Sequence, residues 1–433
     1  MERNGFDSET NHFNNIFRAF RSRNYRLFFM GQCISLIGTW MQQTAISWLV
    51  YRLTGSPFLL GLMAFAGQVP SFFVAPFAGV LVDRWNRHRV LLFTQALSML
   101  QASALAALVM SGSIQMHHIL ILSLFIGLVN AFDMPTRQSF VIHMVEDKKL
   151  LGNAIALNSS MVHVARMIGP PIAGIIIAVA GEGICFSLNA ASYIAVITGL
   201  LLMRINPIRT EGKQPQFLSA MKEGISYAFG FPPIRSIVIL LAFTSLLAMP
   251  YVVLLPVFAK DIFHGDSHTL GYLMGATGIG AFSGAIFLAS RKSVAGLGRM
   301  LVIASSVLGG AIVIFSHSTW FGISLVLLLF TGFGMMVTLT SSNSILQTIV
   351  DEDKRGRVMS FYTMAFMGMV PFGNLLYGAL ASKVGAQNTV LAGGVCCIAG
   401  SILFARRLPA MRRLVRPIYI RMGIIRENRL DNI

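Results

Sequence analysis

The sequence predicts an all-α, polytopic membrane protein whose twelve transmembrane helices form two six-helix bundles related by an internal repeat. Three observations predict this class: the composition, the length of the apolar runs, and glycines that recur between the two halves. Of the 433 residues, 55% are hydrophobic and 12% are charged, and the mean hydropathy is +0.68. A soluble protein carries about a quarter charged residues, so this composition is typical of a chain that lies largely in lipid.

The apolar runs are long enough to cross a membrane. About 20 residues span ~30 Å of hydrocarbon as a helix, at 1.5 Å per residue. By this criterion we predict spans at approximately 26–51, 58–82, 89–110, 119–143, 152–180, 184–203, 236–260, 269–290, 299–316, 320–346, 358–382 and 388–405. All four cysteines fall within these spans, where thiols are small packing groups, and we predict no disulfide, no bound metal and no cofactor.

The basic residues indicate the orientation of the chain. With the N-terminus inside, the outer side holds only Arg52, Lys260 and Lys383 of the 34 Lys and Arg. Arg137 and Arg166 fall within spans, and the other 29 lie on the inner side. This distribution follows the positive-inside rule, so we expect both termini in the cytoplasm. It also accounts for the net charge of +17 without a nucleic-acid partner.

Both ends of the chain are polar and basic. Residues 1–25 lack the apolar core of a cleavable signal peptide, and we interpret FNNIFRAF, 13–20, as an interfacial amphipathic stretch. The stretch from Arg406 to Arg429 contains eight arginines. We expect them to serve topology and to attract the anionic headgroups of membrane lipids, with partner binding as the alternative.

Glycines repeat between the two halves of the chain. An offset of 204 residues aligns four pairs of glycines: Gly152 with Gly356, Gly169 with Gly373, Gly174 with Gly378 and Gly181 with Gly385. An offset of 210 residues aligns three further pairs: Gly55 with Gly265, Gly61 with Gly271 and Arg89 with Arg299. We therefore predict an N-terminal segment at 1–25, a first bundle at 26–203, a cytoplasmic linker at 204–235 with a short helix from about 216 to 229, a second bundle at 236–407 and a tail at 408–433. Duplicated bundles favour a midplane binding site between them and rocking as the route to alternating access.

Two motifs resemble those of the major facilitator superfamily. In GVLVDRWNRHRV, 79–90, the residues Gly79, Leu81, Asp83, Arg84, Arg87 and Arg89 match the loop between spans 2 and 3. Asn86 stands where the family has glycine, and we expect the turn to survive because Asn tolerates left-handed backbone. In ARMIGPPIAG, 165–174, the residues Gly169, Pro170 and Gly174 resemble the span-5 motif associated with exporters, and Ala165 and Ala173 replace two of its glycines.

Three further segments narrow the resemblance. They are similar to the branch of the superfamily that contains the enterobactin exporters and the macrolide efflux proteins. The segments are FDMPTRQSFV, 132–141, LLGNAIALNS, 150–159, and DKRGRVMSFY, 353–362. The resemblance covers about residues 17–407. It implies a monomeric secondary transporter of the bacterial inner membrane that exports an amphiphilic small molecule, siderophore-like or drug-like, in exchange for protons.

The charged loop is a candidate cytoplasmic latch. The residues of this latch are Asp83, Arg84, Arg87, Arg89, Glu146 and Asp147. Asp83 can face the positive N-terminal end of span 11, near Arg357, and the arginines can pair with the two acids at the inner end of span 4. The alternative is that the cluster only anchors topology.

Of seventeen acidic residues, only Asp133 lies well inside a predicted span. Arg137 is one helical turn away on the same face, and the antiparallel pairing of spans 4 and 5 places Asn130, His163 and Arg166 at similar depth. One interpretation is a structural ion triad of Asp133 with Arg137 and Arg166. The other is a net positive cavity for anionic or polar groups, in which Asp133 or His163 takes up the proton.

Seven further residues are candidates for contact with substrate from spans 1, 7, 10 and 11. They are Trp40, Gln43, Tyr251, Asn343, Gln347, Tyr362 and Phe366. For each, ordinary packing or interhelical hydrogen bonding is the alternative. The 24 methionines are suited to a pliable pocket, although Met also fills gaps in any apolar bundle.

Other classes of protein find little support in the sequence. H-E-x-x-H, G-x-S-x-G and Walker A motifs do not occur, so we predict no enzymatic activity. A channel would need rings of carbonyl groups or charges around a symmetric pore. An importer remains the alternative within the transporter class, because a fold does not encode the direction of transport.

Overall fold

The computed structural model describes residues 18–145, 150–204, 227, 229–291, 293–352 and 354–425. Within these ranges all regular secondary structure is helical. A short 3-10 helix, Arg18–Arg21, is followed by α1 (Arg23–Thr54), α2 (Pro57–Arg84), α3 (Arg87–Met110), α4 (Met116–Met144), α5 (Leu151–Ala180), α6 (Glu182–Leu201), α7 (Pro232–Ile262), α8 (Ser267–Ala289), α9 (Leu297–Ser316), α10 (Phe321–Ile349), α11 (Arg355–Val384) and α12 (Ala386–Arg421).

Each predicted span overlaps one of these helices. In the described part of the chain, eleven helices, α2 to α12, are long and apolar enough to cross a membrane. α1 is a 32-residue helix that also carries buried polar groups, including Gln32 and Gln42, and it is not among the eleven. The count of twelve spans therefore stays a prediction.

The chain divides into two compact units. The first unit comprises the described residues up to Ile46 and those from Pro70 to Arg204. The second unit comprises Ser47–Val69 and the described residues from Tyr227 onward. The predicted linker helix at about 216–229 falls almost wholly outside the described residues.

α7 and α11 are less regular than predicted. Within α7, Met249–Leu254 is a 3-10 helix and Phe258–Ile262 is a π-helix, because Pro250 and Pro256 remove backbone donors from the helical ladder. Within α11, Met364–Gly368 forms a π turn. Irregular turns of this kind often lie at functional positions.

α12 is longer than its predicted span, which ends at 405. The helix continues to Arg421 and so includes much of the basic tail. Met411, Val415 and Tyr419 recur every four residues and are buried, so one face of the extension packs against protein. This packing stabilises a helix that the arginine content alone does not predict.

Two glycines of the 204-residue repeat have the same backbone conformation. Gly181 ends α5 with φ 81° and ψ 169°, and Gly385 ends α11 with φ 87° and ψ 157°. In each case the following helix begins at the next residue. Positive φ favours glycine, which gives a physical reason for this residue at both turns.

Candidate functional site

Asp133 lies at the centre of a buried polar network in the first unit. Its side chain on α4 is 2% exposed, and Pro135 interrupts the helical hydrogen bonds beside it. From α3, the Thr94 hydroxyl and the Gln95 amide donate to Asp133 Oδ1 at 2.8 and 2.7 Å. Arg137, one turn along α4, donates to Oδ2. Three donors thus satisfy a carboxylate that would be costly to bury alone.

Arg166 packs against an aromatic ring. Its guanidinium carbon lies 5.4 Å from the centre of the Trp40 ring, within the range of a cation–π contact. Gly169, one turn along α5, permits this approach, because a Cβ there would lie 2.6 Å from Trp40 Cβ. Pro170 and Gly174 of the same motif are also buried. The motif therefore brings α5 close to α1.

Two contacts involve members of the predicted triad. Asp133 makes its ion pair with Arg137, and Arg166 lies over Trp40. His163, on the same helix as Arg166, has a buried Nδ1 without a hydrogen-bond partner among the described residues. Asn130 is half-buried on α4. His163 thus combines a polar side chain with an unused hydrogen-bonding atom.

A second buried network ties three helices of the first unit together. Gln42 of α1 donates to Gln101 of α3 at 3.0 Å and accepts from Asn189 of α6 at 2.8 Å. Its neighbour Gln43, which is the predicted site residue, is exposed, and the Asp133 partner Gln95 is not among the predicted site residues. The signal was available, because an amide in an apolar span must find a polar partner inside the protein.

Two predicted tyrosines of the second unit make interhelical contacts. The Tyr251 hydroxyl is within 3.3 Å of the Thr277 hydroxyl, and Tyr251 is fully buried. The Tyr362 hydroxyl donates to the Leu339 carbonyl at 3.1 Å. Both contacts are of the packing kind that was the alternative to substrate binding.

The other predicted residues of the second unit lie nearer its surface. Gln347 is exposed and donates to the half-buried Asn343 one turn earlier on α10. Phe366 is half-buried within the π turn of α11, with its ring 6.5 Å from that of Tyr362. These three residues are the members of the predicted set in this unit that retain surface for a ligand.

Only part of the predicted latch lies within the described structure. Asp83 and Arg84 end α2, but their side chains, like all of Glu146 and Asp147, are outside the described residues. Arg87 is half-buried and Arg89 is exposed. The pairing of these charges stays a prediction.

The expectation of a left-handed turn at Asn86 was wrong. This residue has φ −68° and ψ 104° and caps α3, with its side chain accepting from the Arg89 N–H at 3.2 Å. Asn replaces the family's glycine here because a helix N-cap favours a short side-chain acceptor in extended backbone.

The helical fold and its long apolar helices define an integral, multi-pass membrane protein. The sequence profile of the transmembrane secretion effector family matches residues 15–417, so the chain belongs to this family. The predicted resemblance to exporters of the major facilitator superfamily is thereby confirmed.

Curated relatives cover most of the chain. The staphyloferrin A transporter of Staphylococcus aureus is 27% identical, over 88% of this chain and 95% of its own. The multidrug efflux pump Tap of Mycolicibacterium fortuitum is 25% identical, over 80% of this chain and 87% of its own. Macrolide efflux protein A of Streptococcus pyogenes is 21% identical, over 85% of this chain and 92% of its own. All three are transporters rather than enzymes.

Solved structures support the fold. A bacterial homologue of the human lysosomal transporter Spinster, inward-facing and unoccupied, matches with a TM-score of 0.64 and 15% identity over 92% of this chain and 98% of its own. The nucleoside transporter NupG matches with a TM-score of 0.68 and 12% identity over 90% of this chain and 98% of its own. At these identities the likeness concerns architecture alone.

Proposed function

We propose that this transporter exports an amphiphilic small molecule, siderophore-like or drug-like, from the bacterial cytoplasm by alternating access, with protons moving inward. The observation that carries the proposal is similarity, over 80% and 85% of this chain, to two relatives named as efflux proteins. The positive-inside distribution supports an inner-membrane orientation with both termini in the cytoplasm. A reporter fused to the C-terminus should be active in the cytoplasm, and activity outside would contradict this orientation.

Proton coupling is assigned to His163 rather than to Asp133. Protonation of Asp133 would weaken its pairing with Arg137 and the two hydrogen bonds from α3. His163 has an unused ring nitrogen, and a neutral imidazole can accept a proton there. Asp133 is then the structural anion of the network, and His163 is the residue whose charge changes during transport.

Export is tested first without assuming a substrate. Untargeted mass spectrometry of cells and spent medium should find a solute that a deletion strain retains and that a complemented strain releases. Inside-out vesicles from the complemented strain should then accumulate this solute when an inward-acid pH gradient is imposed, and a protonophore should abolish the accumulation. A solute depleted from the deletion strain and left in its medium would instead indicate import.

The coupling residue is tested with the same vesicles. His163→Gln should fold and bind the solute but lose the dependence of accumulation on the pH gradient. His117→Gln changes an exposed histidine of α4 and serves as the matched control. Gradient-driven accumulation at the wild-type level in His163→Gln would contradict the assignment and return Asp133 to consideration.

A further inference from the structure

We propose that the start of α9 and the inner end of the α12 span form a binding site for the headgroup of an anionic phospholipid, held by Arg299, Arg406 and Arg407. This inference goes beyond the proposed function, because it concerns the bilayer around the transporter and not its substrate. Charge alone predicts a general attraction of the arginines from 406 to 429 to anionic headgroups. The proposed site is narrower, since it takes two of these arginines and adds one from another helix.

α9 and α12 pack against each other within the second unit, and their contacts fix which residues share a level. The Ser305 hydroxyl of α9 donates to the Ser401 hydroxyl of α12 at 2.9 Å. A Cβ at Gly298 of α9 would lie 3.0 Å from Leu408 Cδ1 of α12. From one contact to the other, the residue numbers fall along α9 and rise equally along α12. The two helices are therefore antiparallel, and the start of α9 is level with the residues that follow the predicted α12 span.

The three arginines continue exposed apolar faces of these helices. On α9, Ile303 is 54% exposed, and Arg299 lies one turn before it on the same face. On α12, Leu403 is 61% exposed, and Arg406 and Arg407 follow it by three and four residues. All three arginines are exposed. Exposed apolar side chains of a membrane helix face acyl chains, so arginines on the same faces meet the headgroups of those lipids.

The depth of the arginines corresponds to the headgroup layer. The predicted α12 span ends at 405, so Arg406 and Arg407 lie within about 3 Å of the hydrocarbon edge at 1.5 Å per residue. The headgroup region adds roughly 5–8 Å on each side of the hydrocarbon. Arg299 lies at the level of Arg407, because Gly298 contacts Leu408 in the antiparallel pair. Helices in contact have axes about 8–10 Å apart, so side chains from both can reach one headgroup.

The charge of this surface is not neutralised by its own helices. α9, α12 and the segment 290–296 before α9 contain no Asp or Glu. Two acids of the following loop on the same side have other contacts: Asp351 accepts from the Tyr227 hydroxyl, and Glu352 lies 4.0 Å from Arg355. The three arginine side chains of the site make no ion pair or hydrogen bond within the described ranges. The surface is therefore positive and complementary to a phosphate.

The combination of apolar and cationic groups favours a lipid over a soluble anion. A guanidinium binds phosphate oxygens through parallel hydrogen bonds. Ile303 and Leu403, one turn deeper than the arginines, can contact the acyl chains of the same molecule. Basic clusters between membrane helices on the cytoplasmic side suit anionic headgroups in this way. A soluble phosphate would gain nothing from the apolar faces.

Site-specific photo-crosslinking to lipids tests the proposal. The full-length protein, with p-benzoylphenylalanine in place of Leu403, is placed in nanodiscs of equal phosphatidylglycerol and phosphatidylcholine with identical acyl chains. Mass spectrometry of the crosslinked peptide should find phosphatidylglycerol about tenfold more often than phosphatidylcholine. The crosslinker in place of Ile314, which is 60% exposed near the opposite end of α9, is the matched control and should find both lipids about equally.

Variants assign the preference to the three arginines. Arg299→Gln, Arg406→Gln and Arg407→Gln together should lower the lipid ratio at position 403 to within about twofold of the control ratio. Arg413→Gln with Arg421→Gln removes two exposed arginines further along α12 and should lower the ratio by less than about twofold. If the triple variant does not fold, Arg406→Gln decides: a threefold or larger fall supports the site, and a smaller fall overturns it.

Glycerol 1-phosphate distinguishes a lipid site from a site for a soluble phosphate. In millimolar excess, it should leave the ratio at the value found with sodium chloride of the same ionic strength. A larger fall than the salt causes would overturn the assignment to a lipid. Equal ratios at positions 403 and 314, or a preference that persists in the triple variant, would overturn the site. A loss in the Arg413→Gln, Arg421→Gln variant as large as in the triple variant would indicate only the general attraction of the tail.

The measurement uses neither a pH gradient nor a transported solute. A protein that shows the lipid preference but fails the vesicle assay would contradict proton-coupled export and leave this site intact. A protein that exports a solute without the preference would contradict this site alone. A reporter active outside would move the site to the other leaflet without removing it, because the nanodiscs present both lipids on both sides.

Discussion

The Asp133 network and the region that the repeat aligns with it differ in charge. At an offset of 204 residues, Asp133 aligns with Val337 and Arg137 with Ser341, both fully or almost fully buried. At an offset of 210, Gln95 aligns with Ser305, whose hydroxyl donates to Ser401 of α12 at 2.9 Å. An ion pair in the first unit thus corresponds to apolar and hydroxyl groups in the second.

Aligned positions of α5 and α11 also differ in polarity, and again the first unit is the more polar. Ser160 and His163 align with Met364 and Met367 at the offset of 204, and both methionines are exposed. Methionine offers a pliable apolar surface, whereas serine and histidine offer hydrogen bonds. At these aligned positions the first unit is therefore the more polar of the two.

The largest effect should come from breaking the ion pair. Asp133→Asn leaves Arg137 without its counterion, and loss of one partner of a buried pair typically costs about 3–5 kcal/mol of unfolding free energy. We expect a marked fall in the unfolding temperature of the purified protein. Ser341→Ala, at the position aligned with Arg137, should change stability by less than ~1 kcal/mol. The double variant Asp133→Asn/Arg137→Gln should be more stable than Asp133→Asn, and equal stability of all variants would show that the pair contributes nothing.

The second largest loss of stability should come from the hydrogen-bonded amides of Gln42, Gln101 and Asn189. Gln42→Leu leaves buried groups of Gln101 and Asn189 without their partner, and each unmet group costs about 1–3 kcal/mol. In the second unit, Ser401→Ala removes a single hydroxyl from the Ser305 cluster and should cost about 1 kcal/mol. Chemical unfolding of both variants measures the difference. A larger loss for Ser401→Ala would contradict the view that the first unit depends more on its polar groups.

Replacing either of the aligned glycines Gly169 and Gly373 by alanine should lower stability to a similar extent. A Cβ at Gly169 would lie 2.6 Å from Trp40 Cβ, and one at Gly373 would lie 2.5 Å from the Leu246 carbonyl. Each change to alanine should cost about 1–3 kcal/mol through overpacking. Thermal unfolding measures the effect.

The matched controls for these glycines are also aligned by the repeat. Gly152→Ala and Gly356→Ala introduce a Cβ with no neighbour within 4 Å, and both should be neutral or slightly stabilising. Opposite outcomes within either pair would argue that the repeat does not extend to packing.

The smallest effect on stability is expected in the charged loop. Asp83→Asn should impair transport while the unfolding free energy changes by no more than ~0.5 kcal/mol, since the contact predicted for Asp83 is a single interaction with a helix dipole. Ser293, exposed, is the residue aligned with Asp83 at the offset of 210, and Ser293→Ala should leave flux unchanged. Wild-type flux in Asp83→Asn at matched expression would leave the cluster a topological role only.

Local patterns predict much of this molecule. The apolar runs predict each helix to within a few residues, except at the far end of α12, because a span needs a set number of apolar residues wherever it packs. The Asp133–Arg137 pair is likewise local, since the two residues lie one turn apart on a single helix. Composition and charge alone indicate a multi-pass membrane protein, and the motifs indicate its superfamily.

The choice of partners is decided only by tertiary structure. Gln42 is buried in a network while Gln43 is exposed, because successive residues of a helix point about 100° apart and a small rotation exchanges their roles. Thr94 and Gln95 reach Asp133 from another helix, and the Arg166 guanidinium lies over the Trp40 ring. The composition of the sequence indicates which segments are long and apolar enough to cross a membrane, since burial in lipid depends on composition. Helix rotation and the approach at Gly169 decided which of them meet, since these depend on packing across many helices at once.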